Sequence, residues 1–443
     1  MVSTTGDALP PAAPSGPTPD LMLTVAEARD RILADFSPLP SEQVPVLDAL
    51  GRVLAEDVVA PNDVPPFDNS AMDGYAVRAA DVKTAREDRP VMLAVLGELP
   101  AGVITERPVE PNTCYRILTG APLPPGADSV VPYELTDGVA FGGWHGEAEA
   151  AAEIAEQGTV RIFKGVEHDD NVRHAAEDLR QGDVILRRGA VIRPAEVGVL
   201  ASLGRTSVEL VQRPRVAILS TGDEVIEIDR PLEPGLIRNS NSYSLAALVR
   251  WYGGEPLMLG IAADTVESLR EHLRRGRRAD VIVTTGGVSM GDYDVVKNIL
   301  AHEGDVSFWS IDMRPGKPLA FGSLLGVPFV GLPGNPVSTM VGFEILVRPA
   351  MLKLAGHTRW EKTAIRARSA HRISNRSGRE NYMRATVTQD GDEWSARLTG
   401  EQGSGILTSM HRANGLVVVP RKTTRIEKGE SVHVLMLDWP SME

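Results

Sequence analysis

The feature that most constrains the fold is an alternation of apolar β-type runs and helix-like segments over residues 215–356. RVAILST (215–221), EPLMLGIA (255–262) and DVIVTTGG (280–287) are typical of buried strands, and a helix-like segment follows each of them. Strands separated by helices pair in parallel, with helices covering both faces of the sheet. We therefore predict a doubly wound α/β domain whose ligands bind at the carboxyl ends of the strands.

Sequence on either side of this domain follows other patterns. Residues 357–443 carry short β runs between Asp-Gly, Asn-Gly and Lys-Gly signals, which predict a small antiparallel barrel or sandwich. Residues 90–163 are also β-rich. Residues 24–36 predict an amphipathic helix that a Thr24–Glu27 capping box would start. Residues 1–20 include five prolines among small residues and are predicted to be a disordered tail.

Composition limits the classes of function. The 46 Lys and Arg residues and 59 Asp and Glu residues give a formal net charge of −13, which disfavours nucleic acid and anionic membranes as partners. No apolar stretch is long enough to span a membrane and no signal peptide is evident, so we expect a cytoplasmic protein. The single cysteine, Cys114, cannot form an intrachain disulfide and is expected to be a small buried apolar side chain.

A glycine-rich loop follows the third of these strands. Gly286, Gly287 and Gly291 would let a ligand approach the backbone, and the helix start that follows would favour a phosphate. Ser289 could donate a hydroxyl, and Asp294 could hold a metal or a polar heterocycle. The alternative is a left-handed turn with an Asp cap. Neither a Walker loop nor a dinucleotide fingerprint is present.

Acidic residues follow the two other strands. Asp223 and Glu224 are adjacent after RVAILST, where their hard oxygen ligands could bind a divalent cation, unless they belong to an ordinary acidic loop. Asp264 and Glu267 fit a capping box, which by itself favours a structural role for Asp264.

Two further motifs, RPGKPLAFG (314–322) and GLPGNPVS (331–338), combine cations with proline turns. Arg314 and Lys317 suit an oxyanion or a phosphate, and Pro-Gly-Lys-Pro restricts where Lys317 points. Pro336 is placed to open a helix. The alternative for both motifs is structural turn chemistry.

The segment PPFDNSAMDGYAVR (65–78) places four polar side chains in a short loop. Its Met-Asp-Gly-Tyr sequence could present Asp73 on a tight turn. Asp68, Asn69 and Ser70 precede it, and the alternative is an Asx turn between strands.

Together these motifs resemble those of the molybdenum insertases, the molybdopterin molybdotransferase family that includes the gephyrin E domain. They occur in one order over about residues 21–443 as PPFDNSAMDGYAVR, RILTGAPLPPGAD, NVRHAAEDL, ILSTGDE, TTGGVSMGDYD, RPGKP and GLPGNPVS. The resemblance implies that the chain hydrolyses adenylylated molybdopterin, inserts molybdenum from molybdate and releases AMP, with Mg²⁺ as cofactor. It also implies an elongated homodimer, with each cleft between one α/β domain and the partner's N-terminal domains. Molybdopterin adenylyltransferase and apo-molybdoenzymes are the further partners it suggests.

The candidate site residues follow from the motifs and the resemblance together. The catalytic candidates are Asp73, Thr119, Asp178, Glu224, Asp264 and Asp294. The substrate-binding candidates are Ser70, Arg173, Gly286, Gly287, Ser289, Gly291, Arg314, Lys317, Pro333, Asn335, Pro336 and Ser404. The metal-ligand candidates are Asp223, Glu224, Asp264 and Asp294. Ser310 stands where the family often has lysine, which removes one cation from the expected oxyanion site, whereas Arg314 keeps the charge at another such position.

The expected organisation is a multidomain α/β protein with β-rich N-terminal domains and a C-terminal β-barrel. The predicted units are a tail (1–20), a discontinuous N-terminal domain (21–58 plus 173–211), an inserted β-rich domain (59–172), the molybdopterin-binding α/β domain (212–356) and the barrel (357–443). A molybdopterin adenylyltransferase is a second hypothesis, because its α/β module resembles this one, but it would not need the flanking domains. A pterin-binding scaffold without turnover is a third, and the retained acidic residues argue against it.

Overall fold

The computed structural model of the chain describes residues 22–138, 158–287 and 304–437. The predicted tail, Ser289, Gly291, Asp294 and the helix expected after Asp294 lie outside the described residues. Within the described part, no helix is both long and apolar enough to cross a membrane.

The predicted doubly wound sheet is present as a seven-stranded mixed sheet. Across the sheet, the strands are Met22–Leu23, Gly304–Ile311, Pro318–Leu324, Val327–Leu332, Val281–Thr285, Arg215–Thr221 and Glu255–Ala262. Pro318–Leu324 pairs antiparallel with both of its neighbours, and the other described pairings in this sheet are parallel. The carboxyl ends of the other six strands therefore meet at one edge.

Helices cover both faces of this sheet. Val216 and Ile218 point into one apolar core and Ala217 and Leu219 into the other, as the period of two along a strand requires. The first face carries Val25–Ala34, Ser240–Trp251 and a continuous helical stretch of Pro336–Gly342, the π-turn Phe343–Val347 and Arg348–Leu354. The second face carries Val266–Arg275, which continues into the 3₁₀ turn Gly276–Arg278.

The first strand, Met22–Leu23, and the first helix, Val25–Ala34, pack with the α/β sheet and not with the N-terminal units that follow them in the sequence. Leu23 pairs with Ile311, and the predicted Thr24–Glu27 capping box is formed. Val25–Ala34 packs in the same core as Arg348–Leu354, and Lys353 Nζ donates to Leu33 O at 2.7 Å. An amphipathic pattern shows that one helix face is buried, but not which domain buries it.

Two local expectations need correction. The apolar sequence LLGVPFVGL (324–332) predicts one β strand, but Leu325 and Gly326 have φ of 52° and 80° and form the turn of a hairpin within it. Thr265, rather than Asp264, caps the helix Val266–Arg275, since the Thr265 side chain accepts a hydrogen bond from Ser268 N at 3.3 Å. After the strand Arg215–Thr221, two short strands, Val225–Ile226 and Ile237–Arg238, pair with each other in parallel.

The N-terminal sequence forms two β-rich units. The first has its own core around the pairs Ser41–Pro45/Ser207–Val211 and Val58–Val59/Val184–Leu186, with the helices Val46–Ala49 and Pro194–Ser202. The inserted unit is a sheet ordered Ser129–Pro132, Gly74–Val77, Thr113–Ile117, Val91–Leu99 and Thr159–Ile162, with the short helices Ala79–Val82 and Tyr133–Leu135. Asn69–Ser70 pairs with Val172–Arg173 where the two units join. Cys114 is fully buried here, as expected, and burial raises the pKa of its thiol to about 12.

The predicted C-terminal barrel is confirmed. Five described strands close on themselves in the order Glu380–Asp390, Glu393–Leu398, Ala364–Ser369, Ser431–Met436 and Gly415–Val419. The pairing is antiparallel except between Ala364–Ser369 and Glu393–Leu398. A small Ile373–Ser374/Arg425–Ile426 ladder and the helix Thr408–His411 complete it. Met313–Arg314 joins the barrel strand Glu380–Asp390 and so ties the barrel to the α/β sheet.

Candidate functional site

The main cleft lies where the strand order of the sheet reverses. After Arg215–Thr221 the chain crosses to Glu255–Ala262 on one side and then returns to Val281–Thr285 on the other. Crossovers that leave in opposite directions open a crevice at the carboxyl ends of the two central strands. The crevice holds about 720 Å³ of empty space, part of it open to solvent. The expectation that ligands bind at this edge therefore has a matching cavity.

Backbone from the two central strands forms the floor of the cleft. Gly286 and Gly287 have φ of 95° and 66°, a region that other residues rarely adopt. A Cβ on Gly286 would lie 2.7 Å from the carbonyl oxygen of Thr221. Glycine is therefore required at position 286 both by its φ and by the close approach of the neighbouring strand end.

One cleft residue that the sequence analysis missed holds three segments together. The Asn241 amide, at the start of the helix Ser240–Trp251, donates to Thr285 Oγ1 at 2.8 Å and to Gly334 O at 2.7 Å. These acceptors lie 44 and 93 residues away in sequence. The Arg-Asn-Ser-Asn sequence shows a helix start but carries no sign of these partners.

Two of the predicted metal-ligand carboxylates line this cleft. Glu224 and Asp264 both face it, and Asp223 Oδ1 accepts a hydrogen bond from Asp264 N at 3.2 Å. Over residues 22–138, 158–287 and 304–437, no three metal-binding side chains lie close enough to hold an ion by themselves. Mg²⁺ is commonly held by one or two carboxylates together with ligand phosphate oxygens and water. The described residues fit that arrangement rather than a site built from protein ligands alone.

A basic cluster lies where the sheet meets the barrel. Arg314 is exposed, Lys317 is half-buried, and Arg384, which the sequence analysis did not single out, is 1% exposed. Arg384 donates to Ser409 Oγ and to Gly403 O, both at 3.0 Å. Burial, and then the charge of Arg314, lower the pKa of Arg384 to about 10. The hydrogen-bond partners of this buried guanidinium among the described residues are neutral, and a buried cation of this kind beside further cations favours an anion.

The loop 333–336 connects the cleft with the basic cluster. Gly334 and Pro336 line the cleft, and Pro336 opens the helix Pro336–Gly342 as predicted. At the next residue, Val337 N donates to the carbonyl oxygen of Ser404 in the barrel at 3.0 Å. The candidates of the α/β domain and the barrel are thus brought to neighbouring positions.

The N-terminal candidates are placed elsewhere in this chain. Asp73 Oδ1 accepts hydrogen bonds from the backbone N and from Oγ1 of Thr119, both at 2.7 Å, so two candidates distant in sequence meet. Ser70 is fully buried, and its hydroxyl accepts a hydrogen bond from Met72 N at 3.3 Å. Arg173 and Asp178 are exposed. Among the described residues, none of these five candidates lines the cleft of the α/β domain.

The glycine after Asp73 gives a first prediction. A Cβ at Gly74 would lie 2.0 Å from the carbonyl oxygen of Val131 on the neighbouring strand. We expect Gly74→Ala to force those strands apart and to lower the free energy of unfolding of the inserted domain by about 2–3 kcal/mol. Urea unfolding followed by hydrogen exchange in strand Gly74–Val77 measures this. The control is Gly198→Ala in a helix, which meets nothing within 4 Å and should be neutral or slightly stabilising. Equal stability of G74A and wild type would contradict the prediction.

Three family matches cover nearly the whole described chain. Residues 23–204 match the MoeA N-terminal region (domain I and II), and residues 217–353 match a probable molybdopterin binding domain. Residues 366–437 match the MoeA C-terminal region (domain IV). The matches follow one another in the order of the structural units described above.

Whole-chain relatives and solved structures agree with these matches. A molybdopterin molybdenumtransferase of Haemophilus influenzae is 34% identical over 418 residues, which is 93% of this chain and 98% of that protein. Molybdopterin molybdenumtransferase 2 of Mycobacterium tuberculosis is 37% identical over 401 residues, with 88% and 94% covered. The crystal structure of a molybdopterin biosynthesis moeA protein from Pyrococcus horikoshii superposes with a TM-score of 0.77 at 29% identity and covers 94% of this chain and 100% of that one.

Proposed function

The chain belongs to the molybdopterin molybdenumtransferase family, and on this premise we propose that it is a transferase of molybdenum cofactor biosynthesis. The proposed reaction is hydrolysis of adenylylated molybdopterin with insertion of molybdenum from molybdate, which releases AMP. The observation that carries the proposal is the position of the carboxylate-lined cleft next to the basic cluster, with the loop 333–336 between them. A phosphorylated ligand and a tetrahedral oxyanion need this combination of groups.

Each part of the site has a role in the proposed reaction. The glycine floor at 286–287 would let the pterin ligand approach the backbone. Arg314, Lys317 and Arg384 would hold molybdate through charge-assisted hydrogen bonds. Arg314 would offset the cation lost at Ser310, because a guanidinium pairs well with tetrahedral oxyanions.

Glu224 and Asp264 would hold a magnesium ion together with oxygen atoms of the ligand's phosphate. When bound, such an ion offsets negative charge on the pyrophosphate-like linkage and polarises phosphorus. The contribution of this chain is to orient the two carboxylates toward one cleft. Asp223 supports that orientation through its hydrogen bond with the Asp264 backbone.

We propose that the working form is a homodimer in the cytoplasm. Asp73 and Thr119 contact each other but do not line the cleft of their own chain among the described residues. A second copy that placed its N-terminal domains over the cleft would bring this pair to the substrate. Molybdopterin adenylyltransferase as donor and apo-molybdoenzymes as acceptors are the partners this reaction would require.

The test is molybdate-dependent release of AMP. Purified protein is given adenylylated molybdopterin and Mg²⁺, with and without molybdate, and the product is offered to an apo-molybdoenzyme. We expect AMP to appear with molybdate and the apoenzyme to gain activity. Tight pterin binding without AMP release would overturn the proposed reaction and favour a scaffold. ATP-dependent formation of the adenylate would favour an adenylyltransferase instead.

A further inference from the structure

Two buried polar groups in the wall of the cleft have no hydrogen-bond partner in the described part of the chain. They are the amide nitrogen of Asn239, a residue that is 2% exposed, and the hydroxyl of Thr221, a residue that is 6% exposed. Both residues line the cleft. A buried polar atom without a partner lowers folding stability by roughly 1–3 kcal/mol, so the presence of two such atoms in one cavity requires an explanation.

The neighbours of Asn239 determine which way its amide points. Its Oδ1 accepts hydrogen bonds from Ser220 Oγ at 2.8 Å and from Ser242 N at 3.2 Å. The Ser242 backbone N–H can only donate, so the oxygen must occupy this side and the NH₂ group must face away from it. The unpaired group is therefore a hydrogen-bond donor.

Thr221 lies next to the glycine floor. Its Oγ1 is 2.9 Å from the point where a Cβ on Gly286 would lie. The hydroxyl thus borders the space that glycine leaves open at this position. A ligand that approaches the backbone there would come within reach of the hydroxyl.

The environment of these groups favours an anionic acceptor. Asn239 caps the helix Ser240–Trp251, whose 12 residues give a full positive dipole end, and the first-turn N–H groups have no acceptors within the helix. Arg238 also lines the cleft. A phosphoryl oxygen combines the hydrogen-bond acceptor and the negative charge that this end of the helix favours.

We propose that Asn239 and Thr221 are substrate-recognition residues that bind a phosphoryl oxygen of the ligand at the N-terminus of the helix Ser240–Trp251. This assignment rests on the proposed function, since it names the part of the phosphorylated ligand that these residues contact. It adds two uncharged residues that the sequence analysis did not single out as site residues. The unpaired groups are kept because the ligand, rather than the protein, supplies their partner.

The experiment uses two nearly isosteric substitutions in the full-length protein. Asn239→Asp keeps Oδ1 and its two hydrogen bonds but replaces the unpaired donor with a carboxylate oxygen. Thr221→Val keeps the shape and removes the unpaired hydroxyl. Binding of AMP, inorganic phosphate and adenosine is measured by calorimetry both with and without Mg²⁺, because Glu224 and Asp264 line the same cleft, and thermal stability is measured on the same samples.

We expect N239D to bind AMP and phosphate at least tenfold more weakly than wild type, and T221V to bind them about three- to tenfold more weakly. Neither change should affect adenosine, which lacks the phosphate. Thermal stability should stay at or above the wild-type value in T221V, because the lost hydroxyl has no protein partner. Asn375→Asp is the matched control: this asparagine is also 2% exposed, but its amide donates to Arg379 O at 2.9 Å, so the change should lower stability without altering AMP binding.

Unchanged AMP affinity in N239D and T221V, or no binding of AMP and phosphate to wild type, overturns the assignment. The AMP-release assay separates this from the proposed function. If both variants release AMP at the wild-type rate with an unchanged KM for adenylylated molybdopterin, the proposed reaction is supported, but Asn239 and Thr221 do not recognise the substrate. If AMP binding depends on Asn239 but the wild-type protein shows no turnover, the recognition role is supported and the proposed reaction is overturned.

Discussion

Replacing Lys362 with methionine is expected to lower the free energy of unfolding by about 3–5 kcal/mol, because the substitution strands a buried carboxylate. Lys362 Nζ lies 2.9 Å from Glu344 Oε2, and the two side chains are 3% and 0% exposed. Tyr252 donates to the same carboxylate at 3.0 Å and accepts from Lys362 at 3.1 Å. Burial raises the pKa of Glu344, and the charge of Lys362 opposes that rise.

The position of this pair explains why the effect should be large. Glu344 lies in the π-turn Phe343–Val347, and Lys362 lies just before the first barrel strand, Ala364–Ser369. The pair therefore joins the helix that follows the cleft to the start of the barrel. Hydrogen exchange in Arg348–Leu354, measured against urea concentration, isolates this region from the other domains.

The pH dependence gives a second measurement on the same variant. Without Lys362, the folded protein should keep a proton on Glu344 at pH values where the unfolded chain has released it. The native state then binds more protons than the unfolded state, so the stability of K362M should fall as pH rises. The loss relative to wild type is therefore expected to be smaller at pH 5 than at pH 8.

Two comparisons make this prediction specific. Adding Glu344→Gln to Lys362→Met removes the stranded charge and should recover a large part of the loss. Arg368→Met, which breaks an exposed barrel pair with Glu393 at 3.4 Å, should cost less than about 1 kcal/mol. If K362M and R368M lose the same free energy of unfolding, burial does not make the Lys362–Glu344 pair more stabilising than an exposed pair.

The sequence predicted the sheet well where apolar runs are uninterrupted. The strands Arg215–Thr221 and Glu255–Ala262 begin and end where the runs do. The strand Pro318–Leu324 was missed, because Pro318 and Gly322 are typical of turns. The break at Leu325 was missed for the opposite reason, since an apolar residue with positive φ is rare and leaves no pattern.

The residues of the candidate site also differ in whether the sequence alone can reveal them. Features of the chain near a strand end, such as the glycines at 286–287 and the acidic pair at 223–224, are visible in the sequence because one segment contains them. Asn241 and Arg384 act through acceptors on other segments, so no local pattern shows them. The unpaired amide of Asn239 is recognisable only once its neighbours have been placed. The assigned roles of the site residues stay predictions until variants are assayed.

The basic cluster gives the prediction with the largest expected effect on activity. Removing both cations in Arg314→Ala/Lys317→Ala should raise the molybdate concentration needed for half-maximal AMP release by about 10²–10⁴-fold. The reason is that each charge-assisted hydrogen bond to an oxyanion contributes roughly 1.5–3 kcal/mol. Arg384→Met should give a loss of about 10–100-fold, since its guanidinium is already fixed by Ser409 and Gly403.

The dependence on molybdate, rather than the maximal rate, distinguishes this role from a structural one. AMP release is measured over a molybdate series at saturating adenylylated molybdopterin, with folding checked by thermal melts. Lys428→Met, which removes one exposed barrel lysine outside the cluster, matches Arg384→Met in charge and should leave the curve unchanged. If the cluster variants follow the wild-type molybdate curve, the oxyanion is bound elsewhere and the loss of a cation at Ser310 has no consequence. If they need more molybdate but retain the wild-type maximal rate, these cations bind the oxyanion and the cleft carries the chemistry.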